Sequence, residues 1–193
     1  MTLNTQGRDD SCEKCSNLEV SPFLLFDLHE GEQRALSERL ILSSMSPEDF
    51  DDLISEIREE DPEQLDSEFF MRDKVLTEDK LARFEQKAEF TFPVEYRSFL
   101  KRFGAGDIGT ITVLSPDPES DFTLWKGNKP FEKTSWIPVV DDGKGNYYGF
   151  VLGNGACSKE VWFADQDVGY ELSSTDYGDF YELIAAIAFG VDF

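Results

Sequence analysis

Residues 76–106 read LTEDKLARFEQKAEFTFPVEYRSFLKRFGAG, two helix patterns in succession closed by a pair of glycines. Thr77 is placed to cap the first, with Glu78 and Asp79 in the first turn, where the positive end of the helix dipole favours carboxylates. Leu81, Phe84 and Ala88 then fall on one face. Pro93 suits the first position of the second helix, its missing N–H costing nothing there. Tyr96, Phe99, Leu100 and Phe103 repeat at the spacing of one buried stripe, Lys101 and Arg102 occupy the last turn, and Gly104 can take the left-handed stop.

The chain beyond this helical pair has the composition of strands. Residues 110–114, 136–140, 147–152 and 160–164 are rich in β-branched and aromatic side chains. The run from Asp141 to Asn146 and the run Gly153-Asn154-Gly155 supply residues that tolerate positive φ, as antiparallel turns require. A closing helix is expected with Asp176 as its cap and Phe180, Leu183, Ile184 and Ile187 facing inward. Trp136 and Trp162 lie in strands and are expected to fill the core. The implied fold class is α+β: a twisted, mostly antiparallel sheet with helices packed against it, plus a helical N-terminal extension.

These residues resemble the SUKH (Smi/Knr-like) superfamily. The resemblance lies in Glu85 of the first helix and the run Phe92-Pro93-Val94-Glu95-Tyr96-Arg97-Ser98-Phe99-Leu100, with the small-residue turn Gly104-Ala105-Gly106 after it. It continues in Trp136-Ile137-Pro138-Val139-Val140 leading through Asp141-Asp142-Gly143 to Tyr147-Tyr148. Glu160-Val161-Trp162-Phe163 and Asp179-Phe180-Tyr181-Glu182-Leu183-Ile184 complete the order. Phe92 stands where the family usually has Leu, and Gly104-Ala105 where Asn-Gly is usual. The resemblance implies a protein-interaction domain used chiefly as a bacterial immunity protein, which binds and neutralises a polymorphic toxin. It brings no shared catalytic residues. A nuclease is the candidate toxin class, and the alternative is a non-enzymatic regulatory or adaptor module.

Composition bounds the rest. The 193 residues are 40% hydrophobic and 13% aromatic, with Phe present 17 times, ample for a core. No apolar run approaches the roughly 18 residues of a membrane span, and the first ten residues lack a signal-peptide pattern, so a cytoplasmic protein without membrane contact is expected. Forty acidic residues against 18 basic give a net charge of −22. Such a field repels a phosphate backbone, which argues against direct nucleic-acid binding, and attracts basic partners, although an acidic surface also simply favours solubility.

The chain divides into three segments: residues 1–20 as a flexible tail, 21–75 as an acidic helical extension and 76–193 as the SUKH-like domain. Cys12 and Cys15 form a lone C-x-x-C without a second ligand pair, and His29, the single histidine, has no orienting partner in view, so neither a metal centre nor a general base is built on them. Within the extension, Ser46, Pro47 and Asp49 spell a helix start, and Met45 and Phe50 a hydrophobic staple. Residues 46–73 hold twelve acids against Arg58 and Arg72, which reads as a solvated helix face or as an arm for a basic partner.

Gly104-Ala105-Gly106-Asp107-Ile108-Gly109 spells a dinucleotide fingerprint but comes after a helix and precedes a strand, the reverse of what that motif needs. Asp141 and Asp142 lack calcium-loop spacing. No enzyme, cofactor or metal is therefore expected. The candidate partner-binding residues are Asp107, Asp141, Asp142, Asp165, Asp167 and Glu171 near turns, with Trp125 in the loop after Pro116 and Pro118 as the apolar anchor. The expected partner is a cognate protein toxin with a basic surface.

Overall fold

The computed structural model describes residues 44–65, 73–125 and 135–193. The tail, the Cys12–Cys15 pair, His29 and the part of the expected helical extension before residue 44 lie outside these residues. Within them run the helices α1 (Pro47–Glu60), α2 (Glu78–Ala88) and α3 (Val94–Arg102) and the strands β1 (Gly106–Ile108), β2 (Ile111–Val113) and β3 (Trp136–Asp141). Then come β4 (Tyr147–Gly153), β5 (Ala156–Asp165), β6 (Glu171–Ser174) and a last helix, α4 (Phe180–Phe189).

Each strand pairs with its sequence neighbour, so the sheet order is β1-β2-β3-β4-β5-β6 and every strand pair is antiparallel. This is an α+β fold. Short turns enforce this in four of the five pairs, since a parallel partner would need a long crossover, while residues 114–135 join β2 to β3. The register of β3 on β4 shifts between Pro138 and Val140, beside the one residue of the strand that has no N–H to give.

The helix ends obey local chemistry. Ser46 accepts from the Asp49 N–H at 3.1 Å and the Asp49 carboxylate accepts the Ser46 N–H at 3.0 Å, a reciprocal cap. Thr77 caps α2. Pro93 sits at the cap of α3 rather than inside its first turn. The last helix is capped by Asp179, not Asp176: its carboxylate accepts from Tyr181 N at 2.9 Å and Glu182 N at 3.1 Å, and Tyr177 and Gly178 separate the two aspartates, so the chain enters the helix later than the acid pattern suggests.

α1 belongs to the same compact unit as the sheet, Glu38–Phe193. Phe50 is wholly buried, with its ring centroid 5.8 Å from Phe99, 5.4 Å from Phe103 and 5.2 Å from Tyr181. Arg102 of α3 pairs with Asp51 on the same helix as Phe50. α1 is thus tied to α3 and the last helix by an aromatic plug and to α3 by an ion pair.

The main core lies between the helices and one face of the sheet, where Tyr96, Phe99, Leu100, Val139, Val140, Phe150, Val161, Phe180 and Leu183 are buried together. Two buried polar groups tie it down. The Tyr96 hydroxyl donates to the Leu114 carbonyl at 2.6 Å, and Glu85 accepts the Phe92 N–H at 2.9 Å with Arg97 Nε 3.5 Å away. The other face carries a smaller cluster: Trp136 and Ala164 are buried, with Tyr147, Val151, Trp162 and Tyr170 packed on them. Gly149 makes room for it, because a Cβ there would stand 2.7 Å from the Trp136 ring and closer still to the Ile137 carbonyl. Trp136 fills the core as expected, while Trp162 is only half-buried.

Candidate functional site

Six of the seven residues singled out in the sequence come to one end of the sheet. The register runs across it: Asp107 lies opposite Thr112, Thr112 opposite Asp141, Asp141 opposite Tyr147, and Asp165 opposite Glu171. Asp142 comes after Asp141 in the β3–β4 turn, and Asp167 lies in the short 3-10 turn Gln166–Val168 that Asp165 leads into. The two turns are stitched together, because Gln166 donates its N–H to Asn146 Oδ1 at 3.1 Å and its side-chain amide to the Lys144 carbonyl. Gly145 permits that contact: a Cβ there would overlap the Gln166 amide, and its φ of +99° lies where other residues are strained.

Four of the six carboxylates have local donors. Asp107 accepts from the Thr112 hydroxyl at 2.6 Å, and Asp141 from the Gly143 N–H at 2.8 Å. Asp142 holds the Lys144 N–H at 2.8 Å, the Asn146 N–H at 3.0 Å and the Asn146 side-chain amide at 2.8 Å. Asp165 accepts the Asp167 N–H at 2.8 Å. Turn chemistry therefore fixes these side chains without a cation at each. Asp167 and Glu171 are exposed, and on the two turns only Lys144 carries positive charge. Between them stands Tyr147, whose hydroxyl is pushed up in pKa first by burial and then by Asp141 beside it.

The end of the sheet also shows apolar surface. Val168 and Leu172 are 58% and 39% exposed, with Tyr170 between them in left-handed backbone at φ 65°. Its ring lies 6.2 Å from that of Tyr147.

Trp125, the seventh residue, is elsewhere. Its indole N–H donates to the Pro116 carbonyl at 2.8 Å, and the ring borders a cavity of about 400 Å³ with Phe84, Ala88, Pro116 and Pro118; none of the six carboxylates lines it. The loop residues 126–134 lie outside the described ones.

Sequence reasoning did not find β6, whose Glu-Leu-Ser-Ser lacks β-branched residues, nor the hollow of about 380 Å³ on its helix side, lined by Tyr148, Phe163, Ser173, Thr175 and Tyr177. One signal was present. From Glu160 onward the sequence holds eight acidic residues and no lysine or arginine.

Other reactive groups are accounted for structurally. Burial, with Glu85 nearby, pushes the Cys157 thiol up to about 12, so it is not a nucleophile near neutral pH. Among the described residues no three His, Cys, Asp or Glu side chains are grouped to hold a metal ion, and no helix is long and apolar enough to cross a membrane.

No individual curated protein matches the chain. Residues 75–185, more than half of its length, match the sequence profile of the SMI1 / KNR4 family (SUKH-1).

Proposed function

Because the chain belongs to the SMI1 / KNR4 family (SUKH-1), a group that includes immunity proteins, we propose that it binds and neutralises a cognate protein toxin, a nuclease domain being the candidate class. The observation that carries the reading is the gathering of six carboxylates, four of them held by local hydrogen bonds, at one end of the sheet of a chain with net charge −22. A toxin that acts on nucleic acid presents cations where the phosphates go. An opposing acidic face speeds capture and fills that groove with protein, acting by occlusion rather than chemistry.

Expression in the native cell, capture of the full chain from lysate at low salt and elution along a salt gradient tests this. The expected result is one stoichiometric toxin domain that leaves the chain as salt rises, with association slowed by about tenfold or more. Recovery of signalling or metabolic proteins alone would replace the immunity reading with that of a regulatory adaptor. An affinity indifferent to ionic strength would remove the electrostatic part.

A further inference from the structure

The two edges of the sheet are finished differently. Beside β1 the chain before α2 is strapped on: the Asp73 N–H donates to the Ala105 carbonyl at 3.1 Å, and a Cβ on Gly104 would meet the Asp73 carbonyl at 2.8 Å. β6 has no such cover among the described residues, and all four of its residues are exposed. Edge strands are usually blunted by shortness, charge, proline or a bulge; Glu171-Leu172-Ser173-Ser174 is short and carries one carboxylate, but it pairs with β5 in unbroken register with no lysine, proline or bulge.

The phase of that pairing says which groups point outward. Thr175 N–H donates to the Val161 carbonyl at 3.3 Å, and antiparallel pairs that exchange hydrogen bonds alternate with pairs that do not. Counting back along the register, Ser173 and Glu171 direct their main chain toward β5, while Leu172 and Ser174 direct theirs away from it. Phe163 opposite Ser173 puts the hollow of Tyr148, Phe163 and Tyr177 on one side of this edge, and Ala164 opposite Leu172 puts Leu172 and Tyr170 on the other. An added strand would thus find main-chain partners along β6 and an apolar seat for alternate side chains on each face.

We propose that β6 is the docking edge, receiving an extended, basic segment of a protein partner as a seventh strand. The inference rests on the reading of the chain as a binder of a basic protein, and it names the place. Charge selects the occupant. Asp165, Asp167, Glu171 and Asp176 flank the edge in a stretch without a single cation, so lysines or arginines on the incoming strand meet carboxylates. A second copy pairing β6 on β6 would instead set these carboxylates against one another.

The test uses the full, isotope-labelled chain and a short peptide of alternating lysine and valine, with amide NMR and hydrogen exchange as the readouts. The expected result is shifts and slowed exchange at Leu172 and Ser174, with a glutamate–valine peptide inert. α1 is the internal control, since it carries seven acidic residues against Arg58 and would win if charge alone decided. Ser174→Pro removes one outward donor while sparing the bonds to β5 and should weaken the peptide about tenfold, the worth of one well-made hydrogen bond. If that variant unfolds, Glu171→Lys, which leaves the main chain intact, should give a comparable loss.

Shifts centred on α1, absence of binding, or self-association abolished by Ser174→Pro with no peptide response would each overturn the proposal. A toxin captured from lysate that leaves the β6 amides unchanged overturns the site and spares the immunity reading. Peptide bound at β6 with no toxin captured does the reverse.

Discussion

Phe50, Phe99 and Tyr181 meet as a triangle of rings with centroids 5.2–5.9 Å apart, each wholly or almost wholly buried beneath the helices, whereas Tyr147 and Tyr170 at the end of the sheet stand 6.2 Å apart and half-buried. The first group comes from three different helices, and its burial is what joins them. The second comes from a turn and a strand already fixed by the ladder and by carboxylate-to-amide bonds. Aromatic residues thus hold the tertiary structure on one side, while on the other they lie on a frame that stands without them. A surface built in the second way can display charge and apolar groups together without collapsing around them.

The largest expected break in this comparison is Phe99→Ala. Removing a wholly buried ring that contacts Phe50, Phe103, Phe180 and Tyr181 should cost about 3–5 kcal/mol, read from denaturant midpoints, and should loosen α1 first. A cost under about 1 kcal/mol would show that the aromatic cluster is not what ties the helices together. Next comes Tyr96→Phe, which deletes the hydroxyl that serves the buried Leu114 carbonyl; leaving that acceptor unpaired should cost about 1–3 kcal/mol.

The helical side was also the legible side. Ser46 and Thr77 announce helix starts by their own hydrogen bonds, and the stripe from Tyr96 to Phe103 needs only the helical period, so both could be read without knowing what packs on them. Antiparallel hairpins could be inferred from glycine- and asparagine-bearing turns. β6 escaped because its pairing comes from β5 rather than from its own residues, and β1 because Gly106-Asp107-Ile108 is too short to carry a pattern. The gathering of Asp107, Asp141 and Asp165 was hidden for a different reason: residues far apart in the chain share an end only through register, which local sequence does not state. Trp125 was chosen as an anchor because it is an aromatic in a long loop, and its ring lies against α2 and the prolines, 46% exposed and apart from the six carboxylates.

Smaller effects come from titration. Asp179 and Glu182 are buried, and burial raises the pKa of both, with Lys159 and Glu95 the charged groups facing them. A carboxyl raised in the folded state binds more protons there than in the unfolded chain. Its contribution is fully present below the unfolded pKa and is lost as pH rises through the folded one. Acidification from neutrality into that window should therefore increase the stability these two contribute, and Glu182→Gln should flatten the slope of denaturant midpoint against pH. Asp49, held low by its bonds to Ser46, and Glu78, held low by Lys101 and Arg97, act oppositely and lose their contribution as pH falls further. An unchanged slope in the variant would place the pH response elsewhere.

The smallest effect on stability should come from the combined change Asp165→Asn, Asp167→Asn and Glu171→Gln. Asn keeps an oxygen for the Asp167 N–H, and the other two side chains are exposed, so the fold should shift by no more than about 0.5 kcal/mol. Three negative charges vanish from a region with no nearby cation but Lys144. If this end of the sheet captures a basic partner, association should slow markedly and lose most of its salt dependence while dissociation changes less. Phe99→Ala should do the opposite, lowering stability while leaving the on-rate of whatever stays folded intact. Finding both variants equally poor at binding and equally unstable would mean that the two regions are one cooperative structure, and that charge held on turns is not free of the core beneath it.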